Sequence, residues 1–450
     1  MQFLRGFDMV LATIVFILIS NLLFIFDMAG VPQEPVILVP SYIALSILML
    51  FFLAVPSFKK FPLRGLKNTQ RGTALLIEFL ILCVADAIFL TVFLCMGGWS
   101  FDERAVIATI IIDIVVGNLV FWNGIIRVYI TSKQIGFKWR IIGILCGMIP
   151  IAHLIVLGHI IRLTYREYTD ESSRYYLNEK RAGDQICATK YPILMVHGVF
   201  FRDYKNFNYW GRVPADLEAN GARIFYGQQE SAASIDSCGK ELAARIKEVV
   251  EQTGCGKVNI IAHSKGGLDS RAAITLYGAA PYVASLTTVN TPHRGCQFAD
   301  YLLGKAPEKL KNAVAGQYNG TLRKVGDKNP DFIAAVTDLT HEAAKAFNER
   351  CPNVDGVYYQ SIGSKSVKAT SGRFPLNLSY HLVKYFDGPN DGLVSLPSMQ
   401  WGSDFTYVAP KKKRGITHGD MIDLMRENID GFDVRETYVE LVSGLKEKGY

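Results

Sequence analysis

Five long apolar runs before residue 165 restrict the fold of this 450-residue chain more than any other feature. The first, "MVLATIVFILISNLLFIF", covers residues 9–26, and the others lie at about 35–56, 73–96, 105–126 and 141–162. Each is long enough to cross the hydrocarbon core of a bilayer as an α-helix. A cleaved signal peptide is the alternative for the first run, but no small-residue cleavage site ends it and four runs follow. The sequence therefore predicts an α-helical transmembrane bundle of five spans at residues 1–164.

The loops between the runs indicate their orientation. The second loop, "SFKKFPLRGLKNTQRG", and the fourth, "RVYITSKQIGFKWR", are rich in lysine and arginine, whereas the first and third are short and mostly acidic. Lysine and arginine stay on the cytoplasmic side, so the amino terminus and the even-numbered loops are expected inside. Five crossings then place the rest of the chain on the extracytoplasmic side of a cell membrane.

Several ionisable side chains lie within or near the apolar runs: Glu78, Asp86, Asp113, His153 and His159. Charge is costly in lipid, so such residues face other helices and often mark a functional site. Hydrogen bonding between helices is the simpler interpretation. A proton relay or a ligand site is the alternative, and the sequence names no ligand.

After residue 165 the composition becomes that of an ordinary globular domain. A polar stretch at 165–187 is assigned to a linker, and residues 188–450 to one domain. Six apolar runs are typical of strands, at 191–198, 222–227, 257–264, 282–292, 354–364 and 404–410, and a helical pattern covers 237–254. Alternating strands and helices indicate a mostly parallel sheet with helices on both faces. The net charge of +7 forms no basic stripe, so nucleic acid is excluded as a partner.

Ser264 stands where the third predicted strand meets a helix, in "KVNIIAHSKGGLDSR". A sharp strand-to-helix turn raises such a hydroxyl above the sheet and needs small residues two positions away on either side. Ala262 and Gly266 satisfy that need, with alanine in place of the usual first glycine. The pattern predicts a nucleophilic serine at the carboxyl edge of the sheet.

A nucleophilic serine needs a base and an acid that orients the base. In this kind of domain the acid and the histidine follow the serine in that order. His418 is the last histidine and begins an apparent helix, and Asp391 lies in the tight turn "PNDGLVS" before it. Asp387 is the alternative acid, whereas His381 precedes both aspartates and breaks the order.

Two backbone N–H groups are needed to hold the oxyanion that forms during attack. Lys265 follows the nucleophile and supplies the first. Val199, in the loop "HGVFF" after the first strand, is the natural second donor. His197 is expected to hold that loop through a side-chain hydrogen bond rather than to take part in the chemistry.

The residues between about 190 and 425 resemble the bacterial true lipases of the α/β-hydrolase superfamily, the Pseudomonas and Burkholderia type of triacylglycerol lipase. The matching segments, in order, are "YPILMVHGVF", "YWGRVPADLEANGARIF", "KVNIIAHSKGGLDSR", "TTVNTPHRG", "LTHEAAKAFNERCP", "VYYQSIGS", "NDGLVS" and "THGDMID". The resemblance implies an α/β-hydrolase domain that cleaves lipid esters through an acyl-enzyme. It also implies Ser264, Asp391 and His418 as the catalytic residues. The transmembrane region has no counterpart in that family.

The resemblance implies two further features. A lid of amphipathic helices would lie at about 297–335, although the residues themselves fit a static cap equally well. The relatives also bind a structural calcium through two aspartates. Asp420 matches one of them, but "SGRFPLNLSYHL", where the other belongs, holds no carboxylate. A calcium site therefore stays an open alternative, and no cofactor is required.

Together these features predict a multi-pass membrane protein that hydrolyses carboxylic esters of lipids. An acyltransferase or thioesterase with the same three residues is the nearest alternative. A membrane sensor or transporter with an inactive hydrolase domain is the other. The acyl chain length, the head group and the oligomeric state do not follow from the sequence.

Overall fold

In the computed structural model the chain divides into two compact units, Met1–Tyr175 and Tyr176–Tyr450. The described residues are 2–55, 63–95, 103–199, 208–305, 330–373, 376–409 and 413–450, with 307–309, 312, 315, 316, 319 and 320 between them. The predicted lid covers about 297–335, and most of its residues between 306 and 329 lie outside the described residues. Its two ends are described, and both are helical.

The first unit is built from helices. They are α1 (Gln2–Ser20), α2 (Leu22–Met28), α3 (Pro35–Ala54), α4 (Arg64–Cys95), α5 (Glu103–Thr131), α6 (Gly136–Cys146) and the beginning of α7 (Pro150–Arg181). Helices α4 and α5 pack closely because glycines lie between them. A Cβ at Gly72 would lie 2.8 Å from Val128 Cγ1, and one at Gly124 would lie 3.0 Å from Leu76 Cγ. Small residues at such contacts let two membrane helices approach each other.

Three helices among the described residues, α3, α4 and α5, are long and apolar enough to cross a membrane. Helices α1 and α2 meet at an angle of 77° and make a fourth candidate only if the bent pair is one span. Of the five predicted spans, the described residues therefore support three or four, and the one at 141–162 is not among them. The run at 141–162 is interrupted between α6 and α7, directly before Pro150. Proline disfavours helical geometry in the preceding residue and has no N–H to donate, so α6 ends there.

The polar stretch assigned to a linker is helical as far as Arg181. Its last turn belongs to the second unit. Asn178 Nδ2 donates to Asp216 Oδ1 at 2.6 Å, and Arg181 pairs with Glu436 at 2.8 Å. The boundary between the units, at residue 175, falls inside this stretch.

The second unit contains the predicted parallel sheet. Its strands are β1 (Ile193–Val196), β2 (Ile224–Tyr226), β3 (Val258–His263), β4 (Val283–Val289), β5 (Tyr358–Gly363) and β6 (Asp404–Tyr407), in the order β2-β1-β3-β4-β5-β6. All five neighbouring pairs are parallel. The helices are α8 (Val213–Ala219), α9 (Ile235–Thr253), α10 (Lys265–Thr275), α11 (Gln297–Lys305), α12 (Phe332–Thr337), α13 (His341–Arg350), α14 (Leu376–Asp387), α15 (Leu396–Met399) and α16 (Val434–Glu447).

Two cores cover the opposite faces of this sheet. Leu194 of β1 belongs to the core that contains Leu242 of α9. Met195, the next residue, belongs to the core that contains Leu217 of α8 and Tyr438 of α16. Successive side chains of a strand point to opposite faces, so helices lie on both sides as predicted. The site residues must then lie at the carboxyl edge, where the loops after β1, β3 and β4 meet.

Candidate active site

Ser264 occupies the turn between β3 and α10. Its φ angle is 56°, in a region that residues other than glycine rarely adopt. The turn is held to the neighbouring strand because the Ser264 N–H donates to the Val289 carbonyl at 2.9 Å. Backbone strain of this kind clusters at functional sites, where the surrounding structure maintains it. The strand, turn and helix that the sequence predicted around this serine are all present.

Two glycines let the loop after β1 approach the serine. A Cβ at Gly266 would lie 2.3 Å from the His197 carbonyl oxygen, and a Cβ at Gly198 would lie 2.8 Å from Ser264 Cβ. No larger residue fits at either position without a backbone shift. The loop that carries Val199 is therefore beside Ser264.

His418 and Asp391 meet through a short hydrogen bond. His418 Nδ1 lies 2.6 Å from Asp391 Oδ2, and the His418 N–H donates to the Asp391 carbonyl at 3.0 Å. The other carboxylate oxygen, Oδ1, accepts from the N–H groups of Leu393 at 2.9 Å and Val394 at 2.8 Å. Asp391 is fully buried and His418 is 7% exposed. A carboxylate fixed in this way holds the imidazole in one orientation.

Asn290 is a hydrogen-bond partner of Asp391 that the sequence analysis missed. It directly follows β4, and its Nδ2 donates to Asp391 Oδ2 at 2.7 Å and to Ser364 Oγ at 2.8 Å. Its φ of 48° lies in the left-handed region, which asparagine tolerates better than most residues. In the sequence, the asparagine at the carboxyl end of a predicted strand, in "TTVNTP", was the feature that could have indicated this contact.

His263 links the serine turn to the pair formed by His418 and Asp391. Its ring centroid lies 4.4 Å from that of His418, and Tyr209 Oη lies 2.7 Å from its Nδ1. Burial lowers the pKa of His263 well below its ordinary 6.5, and the nearby charge of His418 lowers it further. A neutral ring beside His418 adds no positive charge there. Since His263 immediately precedes Ser264, this contact places the serine turn against His418.

The two predicted oxyanion donors are both at the carboxyl edge. Val199 is 9% exposed, and Lys265 is buried at the first position of α10. Only the backbone N–H of Lys265 is considered as a donor, because its side-chain Nζ pairs with Asp269 at 2.6 Å. His197 Nε2 lies 3.1 Å from the Gln229 carbonyl oxygen. It therefore holds its loop, as the sequence predicted.

The alternative acid Asp387, and His341, a further histidine between Ser264 and His418, form hydrogen bonds with other parts of the domain. Asp387 accepts from the N–H groups of Gln297 at 3.1 Å and Phe298 at 3.3 Å, so its carboxylate caps α11. His341 Nδ1 lies 3.0 Å from the Arg294 carbonyl oxygen. Among the described residues, Asp391 is the aspartate that pairs with a histidine.

The residues around Asp420 do not fit a calcium ion. Arg414 donates to both carboxylate oxygens, at 2.7 Å and 3.2 Å, and the Thr417 N–H donates to one of them at 2.8 Å. Within the described ranges no group of three acidic, histidine or cysteine side chains is placed to hold a metal. The Arg414 guanidinium thus supplies the positive charge beside Asp420 and ties together the loop on either side of His418.

Comparison with known proteins agrees with this geometry. Residues 191–411 match the family model described as alpha/beta hydrolase fold. The triacylglycerol lipase of Vibrio cholerae is 31% identical over 238 residues, which are 48% of this chain and 75% of that lipase. The triacylglycerol lipase of Burkholderia plantarii is 35% identical over 184 residues, 38% of this chain and 51% of that lipase.

The chain thus spans about half the length of the Burkholderia relative. Among solved structures, the mature Bacillus licheniformis lipase BlEst2 is 23% identical with a TM-score of 0.42, covering 56% of this chain and 92% of that one. The family follows from the sequence relatives, above all from 31% identity over three quarters of the Vibrio lipase. Through the domain that follows its apolar helices, the chain belongs to the lipase-like group of the α/β-hydrolase family.

Proposed function

We propose that this protein is a membrane-anchored serine hydrolase that cleaves carboxylic esters of lipids through an acyl-enzyme on Ser264. The observation that carries the proposal is the buried hydrogen bond between His418 and Asp391, with the turn of Ser264 packed against it through His263. A base oriented by a carboxylate beside a serine on a strained turn is the arrangement that acyl transfer requires.

The proposed ester hydrolysis gives each of these residues a step. His418 Nε2 takes the hydroxyl proton as Ser264 Oγ attacks the ester carbonyl carbon. The carbonyl π bond opens and places its electron pair on oxygen, where the N–H groups of Val199 and Lys265 stabilise the negative charge. The oxyanion's electron pair then re-forms the carbonyl as the C–O bond to the leaving group breaks, and His418 gives its proton to the departing alkoxide, which leaves as the alcohol. Water repeats the sequence on the acyl-enzyme and releases the carboxylic acid.

Asp391 has a supporting part in both half-reactions. It holds the Nδ1–H tautomer of His418, so that Nε2 faces the serine as an acceptor, and it stabilises the imidazolium that forms. Asn290 and the two N–H groups on Oδ1 keep this carboxylate from rotating. The pair is therefore preorganised before substrate arrives.

The proposed substrate class rests on the relatives and on the helical unit. The matched proteins are triacylglycerol lipases, which favours carboxylic esters of lipids as the substrates. Three apolar helices long enough to span a bilayer would keep the hydrolase domain near membrane lipid. Water is proposed as the acceptor of the acyl group.

The side of the membrane depends on the broken run at 141–162. If α6 and α7 together complete a crossing, the loop charges place the hydrolase domain outside the cytoplasm, as the sequence predicted. Without that crossing, the same loop charges place it inside. We propose the extracytoplasmic location, which the next experiment tests directly.

Labelling with fluorophosphonate probes tests the nucleophile and the location together. Because an activated serine attacks phosphorus, we expect purified protein to form one covalent adduct, which peptide mass spectrometry locates on Ser264. A membrane-impermeant probe should label intact cells as fully as lysed cells. Denatured protein serves as the control. No adduct on the folded protein would overturn the proposed activity, whereas labelling confined to lysed cells would overturn only the location.

The Asp420 region yields a prediction about metal removal. We expect EDTA to leave the initial rate of p-nitrophenyl butyrate hydrolysis unchanged, because Arg414 already neutralises Asp420. Arg414→Ala should lower kcat by roughly fivefold, since a partly exposed ion pair contributes up to about 1 kcal/mol. Arg373→Ala is the matched control, because Arg373 pairs with Glu427 but not with Asp420. A rate that EDTA abolishes and calcium restores would contradict this account.

A further inference from the structure

The break between α1 and α2 lies beside two carboxylates on other membrane-crossing helices. Asn21, at the break, donates from Nδ2 to Asp86 Oδ1 on α4 at 2.7 Å. The preceding residue, Ser20, is close enough to Asp113 on α5 to stabilise its charge. Tyr42 on α3 is close enough to interact with Asp113 as well. Side chains from four neighbouring helices and the break thus converge, and we call them the helix-break cluster: Ser20, Asn21, Tyr42, Asp86 and Asp113.

The hydrogen bond between Asn21 and Asp86 leaves other polar atoms of this cluster without such a partner. Among the described residues, four of its buried oxygen atoms have no hydrogen-bond partner: Ser20 Oγ, Asn21 Oδ1, Tyr42 Oη and Asp113 Oδ1. Ser20 and Asn21 are both fully buried. A buried polar atom without a partner destabilises the fold, so a ligand that contacts several of these atoms at once would be stabilised here.

The charge of the cluster is also uncompensated. Within the described part of the chain, neither Asp86 nor Asp113 forms an ion pair with lysine, arginine or histidine. Glu78, which lies on the same helix α4 as Asp86, differs from these two aspartates because its carboxylate forms an ion pair with Arg71 at 2.9 Å. Two close carboxylates in an apolar surrounding repel each other, and either a proton on one of them or a bound cation removes the repulsion.

The four oxygen atoms without a hydrogen-bond partner indicate which class of ligand would bind. All four are oxygen atoms, and oxygen donors from carboxylate, amide and hydroxyl groups suit hard cations. The cluster contains no sulfur or imidazole, which soft metals prefer. Helices interrupted within a membrane also expose polar groups that coordinate ions in other membrane proteins.

We propose that the helix-break cluster binds one hard metal cation, Na⁺ or Ca²⁺, within the helical unit. Asp86 and Asp113 supply the negative charge, and the oxygens of Ser20, Asn21 and Tyr42 complete the coordination. The bend of α1 against α2 is what turns the polar groups of Ser20 and Asn21 toward both carboxylates. Cation binding at this site is a property of the helical unit, and it holds whether or not the hydrolase domain acts as proposed above.

Equilibrium binding of radioactive ²²Na⁺ and ⁴⁵Ca²⁺ to the full-length chain in lipid nanodiscs tests the site and distinguishes the two ions. We expect saturable binding of one of them, with one ion per chain. Asp86→Asn and Asp113→Asn should each weaken it more than about tenfold, because loss of even an indirect partner of a metal costs that much. Tyr42→Phe removes only a hydroxyl and should weaken binding less, which keeps the test informative if a charge-removing variant folds poorly.

Two controls make the result specific. Asp27→Asn removes an exposed carboxylate at the end of α2 and should leave cation affinity unchanged. Ser264→Ala should also bind the cation normally, which separates this site from the hydrolase chemistry. Absence of saturable binding of either ion to the wild-type protein would overturn the proposal. Equal affinity of the Asp113→Asn variant, with circular dichroism showing unchanged helix content, would overturn it too.

Discussion

Replacing Ser264 with alanine is expected to lower kcat for hydrolysis of short-chain p-nitrophenyl esters by roughly 10⁵-fold. The variant keeps the oxyanion donors and the His418–Asp391 pair but has no atom that can form the acyl-enzyme. Residual turnover should then reflect transition-state binding alone. Initial rates with purified protein, extended to long incubation times, measure the loss.

Ser237→Ala is the matched control, because Ser237 is exposed on α9 and far along the chain from the site. It should retain the wild-type kcat. Both variants should show the same thermal unfolding midpoint within a few degrees, so that a fall in rate cannot come from unfolding. A Ser264→Ala protein with normal turnover would remove the nucleophile from the proposed mechanism.

The second large effect concerns the choice between two aspartates four residues apart. Asp391→Asn should lower kcat by roughly 10⁴-fold, because an amide in place of the carboxylate favours the wrong tautomer of the histidine. The substitution preserves shape, and its neighbours Leu393 and Val394 still find an oxygen acceptor. Asp387→Asn should keep kcat within a few-fold of wild type, since Asp387 caps α11 and contacts no histidine among the described residues.

Steady-state rates of the two variants, measured side by side, decide between the aspartates. The expected ratio of their kcat values is large enough that modest folding defects cannot invert it. If Asp387→Asn were the inactive variant and Asp391→Asn the active one, the short hydrogen bond to His418 would have no catalytic meaning. The assignment of the acid would then move to α14.

Much of the hydrolase domain could be predicted from the sequence because its signals are local. Apolar runs of strand length, a serine after β3 and small residues two positions away specify the sheet and the serine turn without any tertiary information. The order of acid and histidine along the chain then favoured His418 as the base, with Asp391 and Asp387 as the candidate acids. All six strands of the structure lie within the predicted runs.

The contacts that the sequence did not reveal are those between distant segments. Asn290 reaches Asp391 across 101 positions of the chain, and no spacing rule connects them. Arg414 and Asp420 are close in sequence, but only the folded loop shows that the guanidinium takes both oxygens of the carboxylate. The predicted span at 141–162 lacks support for a related reason. Hydropathy registers an apolar run at 141–162 but not the interruption that precedes Pro150.

The positive φ angle of Ser264 has a consequence for how this domain can evolve. Glycine adopts that geometry freely, whereas any side chain there costs of order 1–3 kcal/mol. A glycine at this turn would relieve the strain and remove the hydroxyl in the same step. The serine thus lowers the stability of the turn while supplying the oxygen atom on which the proposed acyl transfer depends.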